Sequence, residues 1–303
     1  MNRLLQSLPL VFLSLGISTV SHADLEDGLA AYQAQDFAKA LVEFTEDAEK
    51  GVAKSQYYLG SLYDNGQGTA QDYAAAYHWY ELAANQGDAA AQYAVGTMNF
   101  YGQGKAEDYG QALVWYGKAA DQGHRDSQYN LAIMHANGYG TPPDLPTAYK
   151  WFKAAAEGGN ADAQYNLGIM YQDGVGTEPN PAESTRWFLQ AAEQGVAQAQ
   201  ARAGIAYASG QGVERDYLKA RDWFTLAAEQ GDVPAQSFLG RLYLNGLGME
   251  EQDLVSAYMW YKVANSNGDA EAAKVIATLR GYMKPDEIST AERLATSWVS
   301  SHR

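Results

Sequence analysis

Residue types able to do chemistry are plentiful in this 303-residue chain, and their spacing decides what they can do. Gly-x-Gly pairs occur at Gly66/Gly68, Gly102/Gly104, Gly138/Gly140, Gly174/Gly176, Gly210/Gly212 and Gly246/Gly248. Backbone amides of such a pair could cradle a phosphate. None is followed by the Lys-Ser/Thr of a P-loop, however, and one nucleotide site has no use for repeated cradles. The five histidines, His22, His78, His124, His135 and His302, lack ligand spacing such as H-E-x-x-H. His135 stands in the slot held elsewhere by Tyr63, Tyr171, Tyr207 and Tyr243, which assigns it to packing. Serine, histidine and aspartate are present without a nucleophile elbow, and no carboxylate is singled out as a general acid. The expectation is no catalytic residue, no metal and no cofactor.

The glycine pairs have a different meaning. Their first members are each 36 residues apart, and so are Trp79, Trp115, Trp151, Trp187 and Trp223. Gln56, Gln92, Gln128, Gln164, Gln200 and Gln236 keep the same step. Three residue types sharing one period mark a tandem array, and a period of this length means stacked units. Within one unit, Gln56, Leu59, Gly60, Leu62 and Tyr63 follow helical spacing. The turn Asp64-Asn65-Gly66-Gln67-Gly68 stops that helix, since a helix stop often needs positive φ. Asp72 caps a second helix with Ala76, Trp79, Tyr80, Ala83 and Ala84 on its buried stripe. Gly60, Gly96, Gly168, Gly204 and Gly240 leave room for a neighbouring helix, and Trp79 and its equivalents are expected to fill that gap. Each unit is a helix-turn-helix hairpin that cannot bury its own face alone.

The array runs over residues 53–269, with one extra residue in its last loop that moves the tryptophan to Trp260. Residues 24–52 form a related, tetratricopeptide-like hairpin that suits an N-terminal cap. There Asp36, Ala40, Phe44, Ala48 and Gly51 lie 36 before their counterparts, but Gly28 only 32 before Gly60. Residues 270–303 leave the pattern and are expected to cap the C-terminal end, with Ile288, Ala291, Leu294, Ala295 and Trp298 on one face of a helix opened by Pro285.

Residues 1–23 read as a secretory signal: Arg3, an apolar stretch from Leu8 to Val20, and the small-x-small site Ser21-His22-Ala23. Cleavage after Ala23 and a periplasmic or secreted protein are expected. The apolar stretch is too short for a durable membrane anchor, and no integral membrane segment is expected in the mature chain. The chain has no cysteine, so disulfides and lipid attachment at the cleavage point are excluded. A formal charge of -15, spread without like-charge blocks, disfavours nucleic acid and anionic membrane surfaces as partners.

The segment Ala163-Gln164-Tyr165-Asn166-Leu167-Gly168-Ile169-Met170-Tyr171, followed by Gly174-Val175-Gly176, Trp187-Phe188 and Ala191-Ala192, resembles the Sel-1-like repeat, a relative of the tetratricopeptide repeat. The resemblance recurs six times. It implies an all-α fold, a right-handed α/α superhelical solenoid, and a role as an adaptor or scaffold for other proteins. A disulfide-rich branch of that family has been linked to β-lactam chemistry. This chain lacks the paired cysteines, so that activity is not expected.

In such solenoids the first helix of each pair lines the concave side. A variable column at i, i+4, i+7 runs there from Lys54-Tyr58-Ser61 through Asp126-Asn130-Ile133, Asp162-Asn166-Ile169 and Gln198-Arg202-Ile205 to Pro234-Phe238-Arg241. Asn130 and Asn166 are expected to form a short amide ladder, Ile133, Ile169 and Ile205 an apolar strip, and Arg202 and Arg241 a positive end attractive to carboxylates. With Tyr58 these residues are the candidate contact set for a partner protein or peptide. The competing reading is that they pack between repeats. The column Tyr57, Tyr93, Tyr129, Tyr165 is assigned to packing between repeats. The function expected is an exported, monomeric protein-binding scaffold of the bacterial envelope. Two alternatives stay open: a secreted factor engaging host proteins, and an enzyme or inhibitor acting on cell-wall material.

Overall fold

Throughout the six repeats, the second helix starts at an Asp or Asn in extended conformation whose side chain accepts from first-turn amides. Asp216 accepts from Leu218 N and Lys219 N at 3.0 and 3.1 Å, and Asn180 from Glu183 N at 3.1 Å. The same residue's own amide closes the preceding loop: Asp216 N donates to Tyr207 O at 2.9 Å and Asn180 N to Tyr171 O at 2.8 Å. The first helix stops at the first glycine of the pair, left-handed at Gly210 with φ 78°. These local rules, repeated, yield the computed structural model, which describes residues 22–302. The expected signal segment lies almost wholly outside the described residues.

All regular structure among the described residues is helical. Two compact units divide the chain, 22–91 with 103–105 and 92–102 with 106–302 over the described part. In the first, α1 (His22–Gln33), α2 (Phe37–Glu49), α3 (Ala53–Asn65) and α4 (Tyr73–Asn85) pack each on the next. α5 (Ala89–Tyr101) leads into the second unit. There α6 (Tyr109–Asp121), α7 (Arg125–Asn137), α8 (Leu145–Glu157), α9 (Ala161–Asp173) and α10 (Pro181–Glu193) follow one another in contact. They continue into α11 (Ala197–Ser209), α12 (Tyr217–Glu229), α13 (Val233–Asn245) and α14 (Leu254–Ser266). α15 (Ala270–Arg280) and α16 (Pro285–Ser301) both pack on α14. This is the all-α arrangement of helix-turn-helix repeats that the period predicts, and within each unit consecutive helices pack on one another as they do in a solenoid.

Three periodic residue types explain the packing. The first-helix glycine takes a ring, but not that of tryptophan. A Cβ on Gly60 would lie 2.7 Å from the Tyr80 ring, and one on Gly204 2.6 Å from Phe224. The residue after each tryptophan therefore fills the gap, which corrects the expectation for Trp79. Trp79 instead packs, half-buried, against the cluster that holds Leu59 and Leu62. Repeat three carries Ala132 at this place, fully buried in one cluster with Phe152.

The second glycine of each pair has its own task. A Cβ on Gly212 would meet Pro181 O at 2.3 Å, so this loop lies against the start of the preceding repeat's second helix. The glutamines tie three successive helices. Gln164 on α9 donates to Ala156 O of α8 at 3.2 Å and accepts from Gln194 at the end of α10 at 2.8 Å. Gln200 repeats this with Ala192 O and Gln230 at 3.3 and 2.8 Å. These polar groups are buried, so their satisfaction is obligatory. Gln128 keeps the bond to Ala120 O at 3.2 Å, but Gly158 replaces its second partner.

At the C-terminal end, Ala291 and Ala295 are buried and Ile288 and Trp298 partly so, while Leu294 is exposed. Trp298 meets Trp260 edge-on at 5.6 Å. Arg280 bonds the Tyr258 hydroxyl at 2.8 Å and Glu292 at 2.5 Å, and that guanidinium holds the Glu292 carboxyl below its usual range.

Candidate functional site

The residues that vary between repeats sit on one face of each first helix because the other positions are consumed by the core. On α7, Leu131, Ala132 and Met134 are buried. Asn130 and Ile133 are left half-buried at the edge. The same holds for Asn166 and Ile169 on α9 and for Arg202 and Ile205 on α11; Arg241 on α13 is exposed. All seven belong to the second unit.

Asn130 and Asn166 do not bond each other. Asn166 Nδ2 donates to Asp162 O one turn back at 2.8 Å, and its side chain stands close enough to the Tyr129 phenol to influence its ionisation. Asn130 stands near the Tyr116 phenol, which shares a 3.0 Å hydrogen bond with Thr97. Burial raises the Tyr116 and Tyr129 hydroxyls above the ordinary phenol range, so both stay protonated. The two amides stand apart, each near a different phenol. Ile133 and Ile205 pack partly against the cores of their own regions, leaving only an outer edge.

Hollows open beside these residues. One of about 210 Å³ is lined by Phe100, Tyr101, Tyr116, Tyr129, Asn130 and Ile133, with Met134 at its base. A second, of about 260 Å³, is lined by Pro234, Ser237, Phe238, Arg241 and Tyr261. Between them in sequence, Arg202 and Ile205 border a cleft of about 30 Å³ with Phe188, Thr185 and Gln172. Each hollow adjoins a ring that occupies a glycine gap: Tyr116, Phe188 or Tyr261. Phe100 and Tyr101 line the first hollow, and helical spacing alone does not single them out. Tyr101 is 68% exposed at a helix end where other repeats carry Asn, Asp or Ser. That departure from the repeat norm is the signal that could have found it.

The two arginines differ in support. Arg241 lies over the Phe238 ring at 4.5 Å, and Phe238 stacks on buried Phe224 at 4.9 Å with the planes 10° apart. Among the described residues neither Arg202 nor Arg241 has a carboxylate within ion-pair distance.

Tyr58 is in the first unit. Its ring stacks on Phe44 at 5.1 Å and meets Tyr32 at 5.4 Å, so it is half-buried in the aromatic packing of α1–α3. The other tyrosine column packs within repeats: Tyr57 on Tyr80, Tyr93 on Tyr116, Tyr129 on Phe152 and Tyr165 on Phe188, all at 5.7–5.9 Å. Among the described residues no group of His, Asp or Glu side chains is arranged to hold a metal ion, and no helix is long and apolar enough to cross a membrane.

The Sel1 repeat family matches residues 53–88, 89–124, 125–160, 161–196, 197–232 and 233–269. A Sel1 repeat protein from Oxalobacter formigenes, of known crystal structure, is 31% identical, with 80% of this chain and 99% of that one covered and a TM-score of 0.69. A protective antigen present in uropathogenic Escherichia coli strains, displaying an SLR fold, is 26% identical over 92% of this chain and 84% of its own, with a TM-score of 0.35. No curated protein matches. Six consecutive family matches over hairpins of the same bounds, and a relative matched along nearly its whole length, make this chain a member of the Sel1 repeat family.

Proposed function

We propose that this protein is a non-catalytic scaffold whose first-helix face, in the second unit, holds a segment of a partner protein. Sel1 repeat proteins mediate protein–protein interactions, and the chain shares that general role. The observation that carries the finer reading is the set of hollows beside Asn130, Arg202 and Arg241, each placed where the repeats differ from one another. Asn130, Ile133, Asn166, Ile169, Arg202, Ile205 and Arg241 supply the contacts. Tyr58 contributes a ring edge on the first unit. An extended segment fits such a row because side chains can enter hollows while its backbone meets amides and phenols along the rim.

The protein acts after export, in the periplasm or outside the cell, with residues 1–23 removed. Arg3, the apolar stretch to Val20 and the absence of cysteine support this. Cleavage after Ala23 would leave α1 starting at its third residue. Residues 24–52 and 270–303 shield the two ends of the array, a role that stacked repeats require.

The test is recovery of partners on immobilised protein from envelope extract, comparing the unaltered chain with Asn130→Ala plus Asn166→Ala. The expected result is a partner whose recovery falls about tenfold, the effect of losing two hydrogen-bonding groups at a partly desolvated contact. Equal recovery by both forms removes the amides from the contact.

A further inference from the structure

We propose that the segment bound at repeats five and six is acidic, with two carboxylate side chains gripped by Arg202 and Arg241 and an apolar side chain seated in the hollow beside Arg241. This rests on the binding role proposed for the same face and specifies its occupant. The chain carries 36 acidic against 21 basic residues, so unpaired arginines on one face are against the general trend of its surface. The variable column of these two repeats reads Gln198, Arg202, Ile205, Pro234, Phe238 and Arg241, with no carboxylate. Asp269, which acts on the same Tyr261 hydroxyl as Arg241, is already taken by the Ser237 hydroxyl and by the amides of Glu271 and Ala272. Its carboxylate forms no ion pair with Arg241.

Arg241 is also held ready. The Phe224–Phe238–Arg241 stack restricts where the guanidinium lies, which lowers the ordering cost of binding a carboxylate with two hydrogen bonds. Arg202 is half-buried at the mouth of its cleft, where partial desolvation strengthens a charge-assisted bond. The hollow of about 260 Å³ beside Arg241 is walled by Phe238, Tyr261 and Pro234 and takes an apolar side chain.

Arg202 and Arg241 stand on α11 and α13, the first helices of successive repeats, so one extended segment crossing both repeats can present a carboxylate to each. Packed helices lie about 8–10 Å apart, and an extended chain covers that in about three residues.

The probe is a labelled peptide of alternating glutamate and leucine with acetylated and amidated ends, read by fluorescence anisotropy against the full chain. Companion peptides replace glutamate by glutamine or by lysine. The glutamate peptide is expected to bind despite the protein's net negative charge, at least tenfold more tightly than the glutamine peptide, with affinity falling as salt rises. Arg202→Gln plus Arg241→Gln is expected to abolish that preference, while Arg202→Lys plus Arg241→Lys restores part of it and so separates charge from folding. Absence of glutamate-peptide binding overturns the proposal, and so does binding that the glutamine variant leaves unchanged. If partner recovery depends on Asn130 and Asn166 while the glutamate peptide fails to bind, the acidic assignment is wrong and the binding face stands. If neither holds, both readings fall.

Discussion

Phe224→Ala is expected to destabilise the second unit by about 3–5 kcal/mol, the range for emptying a buried aromatic site. Phe224 is fully buried, fills the gap over Gly204, and carries Phe238 on its outer side. Its loss opens a cavity between α11, α12 and α13 that backbone relaxation cannot close. Repeats are stabilised by their neighbours, so damage at one junction weakens those on either side. Urea denaturation followed by circular dichroism is expected to show an earlier transition for Phe224→Ala. Phe224→Tyr is expected to cost less than about 1 kcal/mol, because Tyr80, Tyr116 and Tyr261 occupy the equivalent place in other repeats. A Phe224→Ala transition that coincides with the unaltered chain would mean the ring does not hold the hairpin.

Gly212→Ala is expected to cost about 2–5 kcal/mol, from left-handed strain and overpacking together. The backbone at Gly212 has φ 75°, and an added Cβ would lie 2.3 Å from Pro181 O and 2.6 Å from Thr185 Oγ1. Pro181 O is a backbone atom at the first turn of α10, so it cannot swing aside as a side-chain end would. The loop would have to lift, breaking the 2.9 Å bond from Thr185 Oγ1 to Gln211 O. Gly231→Ala is the control. It also has positive φ, 87°, but nothing lies within 4 Å of the added atom. That variant carries the conformational penalty alone, about 1–2 kcal/mol. Equal urea midpoints for the two alanine variants would show that the second glycine serves only the turn and not the junction between repeats.

Much of this architecture is legible in the order of residues alone. A shared period in glycine, tryptophan and glutamine predicts hairpins of one design, and Asp72 and Gly66 behave as the capping chemistry requires. What stays hidden concerns contacts between positions of different phase. Trp79 and Tyr80 are neighbours on a helix, both on its apolar stripe, and periodicity cannot decide which of them enters the Gly60 gap. The glutamine links run from Gln164 to a residue 30 places on, across a complete helix and loop. A single column of glutamines carries no mark of that partner. Gly212 is legible as a turn residue, yet its close approach to Pro181 comes from stacking, which lies in three-dimensional space rather than in local preference.

The candidate contact set is legible in the same partial way. Helical spacing puts Asn130 with Ile133, Asn166 with Ile169 and Arg202 with Ile205 on shared faces, and all six are half-buried on their first helices. Spacing does not reveal that Asn130 and Asn166 each stand near a different tyrosine phenol, because those phenols sit on other helices. Tyr58 shows the limit most clearly. It occupies the same register as Asn130, but Phe44 and Tyr32 from the neighbouring hairpin absorb its ring. Register assigns a face; the neighbour decides how much of that face remains for a partner.

The most direct test of the binding face is site-specific photo-crosslinking in living cells, with a photoreactive phenylalanine analogue placed at Phe238 or Ile169 on the first helices and at exposed Leu226 on a second helix. A crosslinked partner band from positions 238 and 169, weakened by Arg202→Gln plus Arg241→Gln and missing from position 226, is the predicted result. The same partner trapped from position 226, with positions 238 and 169 silent, would contradict it.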